Sequence, residues 1–159
     1  MSESPSSIEE NLIRLGITLP SAPKPVGSYV PSKQVGDLVF VSGVLPFVNG
    51  QIHKPGKVGK DLSIAEGVEA ARLAVINALA ILQQHLGALQ HIRQVVRLTG
   101  HVACSEGFGA QPQVINGASD LLVEVLGERG RHARLALGAF ELPLHAPIEL
   151  ELIVEGKPH

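Results

Sequence analysis

The sequence predicts an α+β fold in two layers, one β-sheet with two long helices packed on a single face and a short helix ahead of them. Three observations carry that expectation. Two long stretches, 64–86 and 112–126, repeat apolar residues at three- and four-residue steps, and each precedes a strand-like run. Runs at 38–43, 95–104, 133–140 and 148–155 read as the strands around them. The chain is 45% hydrophobic but only 3% aromatic, so the layer between sheet and helices must be aliphatic. Its 159 residues suffice for one sizeable core. The expected division is a helical, proline-rich extension over 1–25 and a single domain over 26–157.

In chain order, Ser6-Ser7-Ile8-Glu9-Glu10 holds two overlapping capping boxes, Ser6 with Glu9 and Ser7 with Glu10. Ile8, Leu12, Ile13 and Leu15 follow at helical spacing and Gly16 is placed to stop the turn, which predicts a helix over 7–15. Pro20, Pro23 and Pro25 make the next stretch an extended connector. Gly27 to Pro31 reads as a short edge strand, because Pro31 cannot donate to a ladder. After a turn at Gly36-Asp37, the nearly continuous apolar run 38–43 reads as a strand buried on both faces. Asn49-Gly50 is the strongest hairpin signal in the chain. The loop from Lys54 to Lys60 lacks the ending of a phosphate-binding loop and reads as solvated.

Ser63 opens the longest helix. Its inner stripe is Ile64, Val68, Ala71, Val75, Leu79 and Leu82, with Glu66, Asn77 and Gln84 opposite and Gly87 at the end. The second long helix starts at Pro112 or Gln113 and turns Val114, Leu121, Leu122 and Val125 inward, until Gly127 closes it. Pro143 and Pro147 break the segment between the last two strands, which are expected to pair. The sheet's second face carries few charges across 38–44 and 94–104, and is expected to be buried against copies of the chain.

Composition excludes several classes of function. A net charge of −2 supplies no field to gather phosphate backbones, so nucleic acid is not the expected partner. The single cysteine, Cys104, fits a reducing compartment and reads as a buried structural thiol. The start, MSESPSSIEE, lacks the features of a secretory signal, and no apolar run is long enough to span a bilayer. A cytoplasmic protein without a membrane partner is the expectation. The seven histidines form no HExxH and no other zinc spacing, so no metal site is expected. Ser42, in VSGVLP, lacks a nucleophile elbow and suits a backbone or ligand contact instead. Tyr29 reads as a packing residue with its hydroxyl in water.

The stretch 132–155 is the one most suggestive of chemistry. Alternation puts Arg134, Ala136, Gly138 and Phe140 on one strand face and Leu135 and Leu137 on the other. Arginine's planar fork suits a carboxylate ligand, and the small side chains of Ala136 and Gly138 leave room for one. An ordinary alternative is a cross-strand ion pair from Arg134 to Glu149 or Glu151.

GSYVPSKQVGDLVFVSGVLP near the start and ARLALGAFELPLHAPIELELI near the end together resemble the Rid family of reactive-intermediate deaminases. These are also called YjgF-like proteins or L-PSP endoribonucleases. Gly27, Tyr29, Val41, Ser42, Gly43 and Pro46 keep the family's first motif, and Ala133, Arg134, Leu142, Pro143, Glu149 and Glu151 its second. The resemblance implies a chorismate-mutase-like fold with a mixed sheet, and a homotrimer with ligand clefts between subunits. It implies hydrolysis of enamines or imines such as 2-aminoacrylate or 2-iminobutyrate to 2-keto acids and ammonia, without a cofactor. Arg134 would then hold the substrate carboxylate and Glu149 the attacking water. Tyr29 would line the cleft from a neighbouring subunit, with Ser42, Gly43, Asn116 and Ala136 as further substrate contacts. The chain departs from the pattern at Leu135-Ala136, where Ser-Cys is common, at Val30-Pro31 after the tyrosine, and at Glu141 before Leu-Pro. The implied alternatives are a non-catalytic trimeric binder of small carboxylates or a regulatory protein and, disfavoured by the acidic balance and scarce aromatics, an endoribonuclease.

Overall fold

A computed structural model of the chain describes residues 7–158. Ser6, and with it the first of the two overlapping capping boxes, lies outside the described residues, as do the other residues before Ser7 and His159. Helix α1 spans Ile8–Arg14, and its N-terminus is closed by the second box, Ser7 with Glu10. Asn11 is buried in this helix and donates its amide to the Val125 carbonyl at 3.0 Å, fastening α1 to a later helix. Gly16 ends it at φ +67°, in the left-handed region where glycine is unstrained.

Strands β1 (Ser32–Val35) and β2 (Leu38–Val44) form a hairpin across Gly36-Asp37. The edge strand therefore begins just after Pro31 and not at Gly27. Residues 27–30 instead bend back on themselves, with the Tyr29 N–H bonded to the Gly27 carbonyl at 3.0 Å. A two-residue turn at Asn49-Gly50, both at positive φ, joins β3 (Phe47–Val48) to β4 (Gln51–Ile52). That geometry is the type I′ hairpin such a dipeptide favours.

Helix α2 spans Ile64–Leu86 with a complete Ser63–Glu66 capping box and Gly87 at its C-cap. Strand β5 (Ile92–Ala103), helix α3 (Gln111–Leu126) and strand β6 (Ala133–Ala139) form a parallel crossover, and β7 (Ile148–Gly156) completes the sheet. The strand order is β1-β2-β7-β5-β6. The last two strands are thus not partners, because β7 pairs antiparallel with β2 and β5 and so lies one strand away from β6. Parallel strands joined by a helical crossover are commonly neighbours, and here β6 pairs with β5.

Both long helices pack on one sheet face, over Val39, Val41, Leu98, Val102, Ile148, Leu150, Leu152 and Val154. They cross closely at Gly117, where a side chain would run into the Val68 carbonyl, which is why a glycine is tolerated inside α3. Three expectations fail here. Asn77 is not on the outer face of α2 but only 3% exposed, donating its amide to the Leu45 and Phe47 carbonyls at 2.9 and 3.1 Å. Strand β2 is buried on one face only, since Leu38 and Phe40 alternate outward and Phe40 is 41% exposed. Leu135 and Leu137 on β6 share that open face, so the sheet presents apolar side chains that none of the described residues covers. The lysine-rich loop is also less solvated than expected, because Val58 is fully buried and bridges to Cys104.

Candidate functional site

The predicted site residues fall into two groups. Ladder register explains the division. Arg134 is level with Leu98 and Leu152 and so lies on the helix side of the sheet, whereas Glu149 is level with His101 on the open side. An ion pair between Arg134 and Glu149 or Glu151 within one chain is therefore ruled out by side as well as by strand order.

The first group is built on α3 and the edge strand β6. Arg134 Nη1 donates to Asn116 Oδ1 at 2.7 Å and to Ser119 Oγ at 3.2 Å, and Nη2 donates to the Pro112 carbonyl at 3.3 Å. Residues 112, 116 and 119 recur along one face of a helix, so one side of α3 cradles the guanidinium. All three acceptors are neutral. Among the described residues no carboxylate comes within 4.0 Å of Arg134, although six other lysines and arginines form ion pairs. The Nε–H and one Nη2–H have no acceptor among the described residues. The result is a cation fixed in direction and left without a counter-charge, a suitable receptor for a carboxylate. The room expected over Ala136 and Gly138 is taken. Ala136 packs against the core, and a β-carbon on Gly138 would meet Gln111 Nε2 at 3.0 Å and Cys104 Sγ at 3.1 Å. Cys104 itself is half-buried and unbonded to other sulfur.

The second group lies where β2 meets β7. The register slips by one residue between Val41 and Val44, a bulge at Ser42-Gly43, and such bulges re-aim side chains beside sites. Gly43 lies directly against the Glu149 carboxylate, which occupies the space a β-carbon would need. Ser42 clips the preceding loop over this spot. Its N–H donates to the Pro31 carbonyl at 2.9 Å and its Oγ to the Val30 carbonyl at 2.6 Å. The Tyr29 hydroxyl accepts from the Val26 N–H at 3.2 Å and is thus tied to its own loop instead of being left to water. A cavity of about 30 Å³ remains, lined among others by Tyr29, Ser42, Gly43, Phe47, Ile81 and Glu149. It has room for water between a carboxylate floor and an apolar wall.

Burial pushes the Glu149 carboxyl above its ordinary range, His101 across the ladder pulls it back, and Glu151 on the same strand raises it further. A carboxyl so raised holds its proton more readily than an exposed one, which suits a group that takes up and gives back a proton. Glu141, the departure before Leu-Pro, pairs with Lys57 at 3.1 Å, whose ammonium stands 4.3 Å above the Phe140 ring. Among the described residues no group of three or more His, Cys, Asp or Glu side chains could hold a metal ion, and no helix is long and apolar enough to cross a membrane.

The sequence reading missed Ser119 and the Pro112 carbonyl beside Arg134, and His101 beside Glu149. The spacing of 112, 116 and 119 was a usable signal for the former. The latter required knowing that β5 and β7 are neighbours.

Residues 9–155 match the family described as "YjgF/chorismate mutase-like, putative endoribonuclease". Protein TCP17 of Trypanosoma cruzi is 40% identical over 149 residues, 93% of each chain. The crystal structure of the Agrobacterium tumefaciens protein Atu1372, of unknown function, is 46% identical, covers 94% of this chain and 92% of its own, and superposes with a TM-score of 0.89. A Shewanella oneidensis structure titled as a putative endoribonuclease is 35% identical, covering 94% of this chain and 99% of its own, with a TM-score of 0.91.

Proposed function

Since the chain belongs to the YjgF/chorismate-mutase-like family, we propose that it is a metal-free enamine and imine deaminase, a cytoplasmic homotrimer hydrolysing 2-imino acids such as 2-aminoacrylate or 2-iminobutyrate. The observation that carries this reading is the separation of its two polar groups. An uncompensated guanidinium and a raised carboxyl lie on opposite sides of one sheet, too far apart to serve one small substrate within a chain. The exposed apolar face around Phe40, Leu135 and Leu137 supports association of copies. Such association would bring Arg134 and Asn116 of one subunit to Tyr29, Ser42, Gly43 and Glu149 of the next. Residues 1–25 would then be a helical extension on a domain spanning 26–157.

In that cleft Arg134 binds the substrate carboxylate through its two remaining N–H groups. The imine carbon is already electrophilic, so orientation does most of the work. Glu149 takes a proton from water as the oxygen adds to the carbon. It returns that proton to the nitrogen to give the carbinolamine. It then takes the remaining proton from the new hydroxyl and delivers it to the same nitrogen as the carbon–nitrogen bond breaks and the carbonyl forms, giving a 2-keto acid and ammonia. The raised carboxyl matches this two-way role. Gly43 keeps the carboxylate close to the backbone, and the apolar wall limits water to the reacting molecule.

The test is subunit complementation. Arg134→Ala and Glu149→Gln are each expected to abolish formation of 2-ketobutyrate from 2-iminobutyrate generated in situ. Co-expressed in equal amounts, the two variants should regain about one quarter of wild-type activity, the fraction of clefts drawing an intact residue from each side. No recovery would refute a shared cleft. Full activity in Glu149→Gln, with carboxylate binding lost only in Arg134→Ala, would identify a binding protein instead.

A further inference from the structure

We propose that Ser119 and His132 are positioning residues for Arg134, acting as a hydrogen-bonded chain that fixes the guanidinium for its ligand. The inference rests on the reading that Arg134 receives a carboxylate. His132 precedes strand β6, and its Nδ1 lies 2.6 Å from the Gly130 carbonyl. A carbonyl only accepts, so Nδ1 carries the proton. In the neutral ring Nε2 is then an acceptor. The Ser119 hydroxyl, 2.9 Å from Nε2, must donate to it. With its hydrogen committed, the serine oxygen turns its lone pairs outward, and Arg134 Nη1 donates to it at 3.2 Å.

Every donor in the row has one acceptor, from Arg134 through Ser119 and His132 to the Gly130 backbone. Without His132 the hydroxyl would rotate freely and could aim its hydrogen at the guanidinium. With the ring in place only one orientation remains. Successive bonds of this kind also polarise one another, which strengthens the grip on Nη1. Asn116 holds the same nitrogen at 2.7 Å, so both Nη1 hydrogens are occupied. The Nε–H and the free Nη2–H are left for the guest. Neither Ser119 nor His132 needs to touch the substrate; they set the direction of the residue that does.

The test measures 2-ketobutyrate binding by calorimetry, together with KM and kcat for 2-iminobutyrate, in Ser119→Ala, Ser119→Thr, His132→Phe and the Ser119→Ala/His132→Phe double variant. Ser119→Ala and His132→Phe should each weaken 2-ketobutyrate binding about three- to tenfold and raise KM alike, with kcat near wild type. Ser119→Thr should restore binding, and the double variant should be no weaker than Ser119→Ala, because one chain is broken only once. Wild-type binding in Ser119→Ala, or penalties that add in the double variant, overturn the proposal. Ser119→Ala removes a single oxygen from a helix and carries the test if His132→Phe does not fold. Arg134→Ala serves as the reference. If it alone loses binding, the positioning chain is refuted and the carboxylate reading stands, whereas unchanged binding there refutes both.

Discussion

Asn77→Ala should destabilise the protein more than any surface change, and the size of the effect follows from two bonds. The Asn77 amide nitrogen donates to Leu45 O at 2.9 Å and Phe47 O at 3.1 Å, from a position only 3% exposed. Alanine removes both donors: the Leu45 carbonyl keeps only the Phe47 N–H at 2.9 Å, and the partly buried Phe47 carbonyl loses the amide. Each lost bond costs about 0.5–1.5 kcal/mol net. The expected loss is therefore roughly 1–3 kcal/mol. Asn77→Asp should do no better, since an ionised carboxylate has no hydrogen to give and would face two carbonyls. Urea unfolding at one fixed protomer concentration measures it, because association would otherwise enter the result. Leu45 and Phe47 also line the cavity beside Glu149, so imine turnover should fall with stability. A change below about 0.5 kcal/mol would refute the reasoning, and would mean that water replaces the amide.

Two further outcomes concern the carboxylate. Gly43→Ala places a methyl group where the Glu149 carboxylate rests; the half-exposed side chain can swing aside, so stability should change by less than about 1 kcal/mol while kcat falls about tenfold or more, as parallel unfolding and turnover measurements will show. In the pH profile of kcat/KM the acidic limb reports loss of the Glu149 base as pH falls, and it should lie above the range of an ordinary carboxylate. Glu151→Gln removes a like charge and should move that limb to lower pH, whereas His101→Phe removes the group that pulls Glu149 down and should move it to higher pH. Limbs that shift together, or not at all, would refute the assignment of the limb to Glu149.

Several features were legible from neighbouring residues because local chemistry settles them. The Ser7–Glu10 and Ser63–Glu66 boxes, the glycine stops at Gly16 and Gly87, and the Asn49-Gly50 hairpin each depend on a few consecutive residues. The apolar stripe of α3, and that of α2 from Ala71 onward, followed in the same way, whereas Ile64 at the start of α2 is 40% exposed. Arg134 stood out as a cation among small apolar residues, and the family resemblance, not the spacing, implied Glu149, Tyr29 and Gly43 as companions.

Strand partnership was not legible, and most of the errors trace to it. A strand's alternation states that it has two faces, but not which neighbour lies on either edge. The run 132–155 therefore looked like a pair, when β5 in fact separates its halves. The same gap hid His101 beside Glu149, the bulge that brings Gly43 against the carboxylate, and the face on which Phe40 is left exposed. Asn77 was misplaced because an amide midway along an apolar helix looks like its polar side, until two carbonyls 30 and 32 residues away claim it. Caps, turns and helical stripes are decided within a few residues by backbone sterics and burial. The side of the sheet on which Arg134 and Glu149 come to lie is decided by pairings between distant segments, and those exist only once the chain has folded.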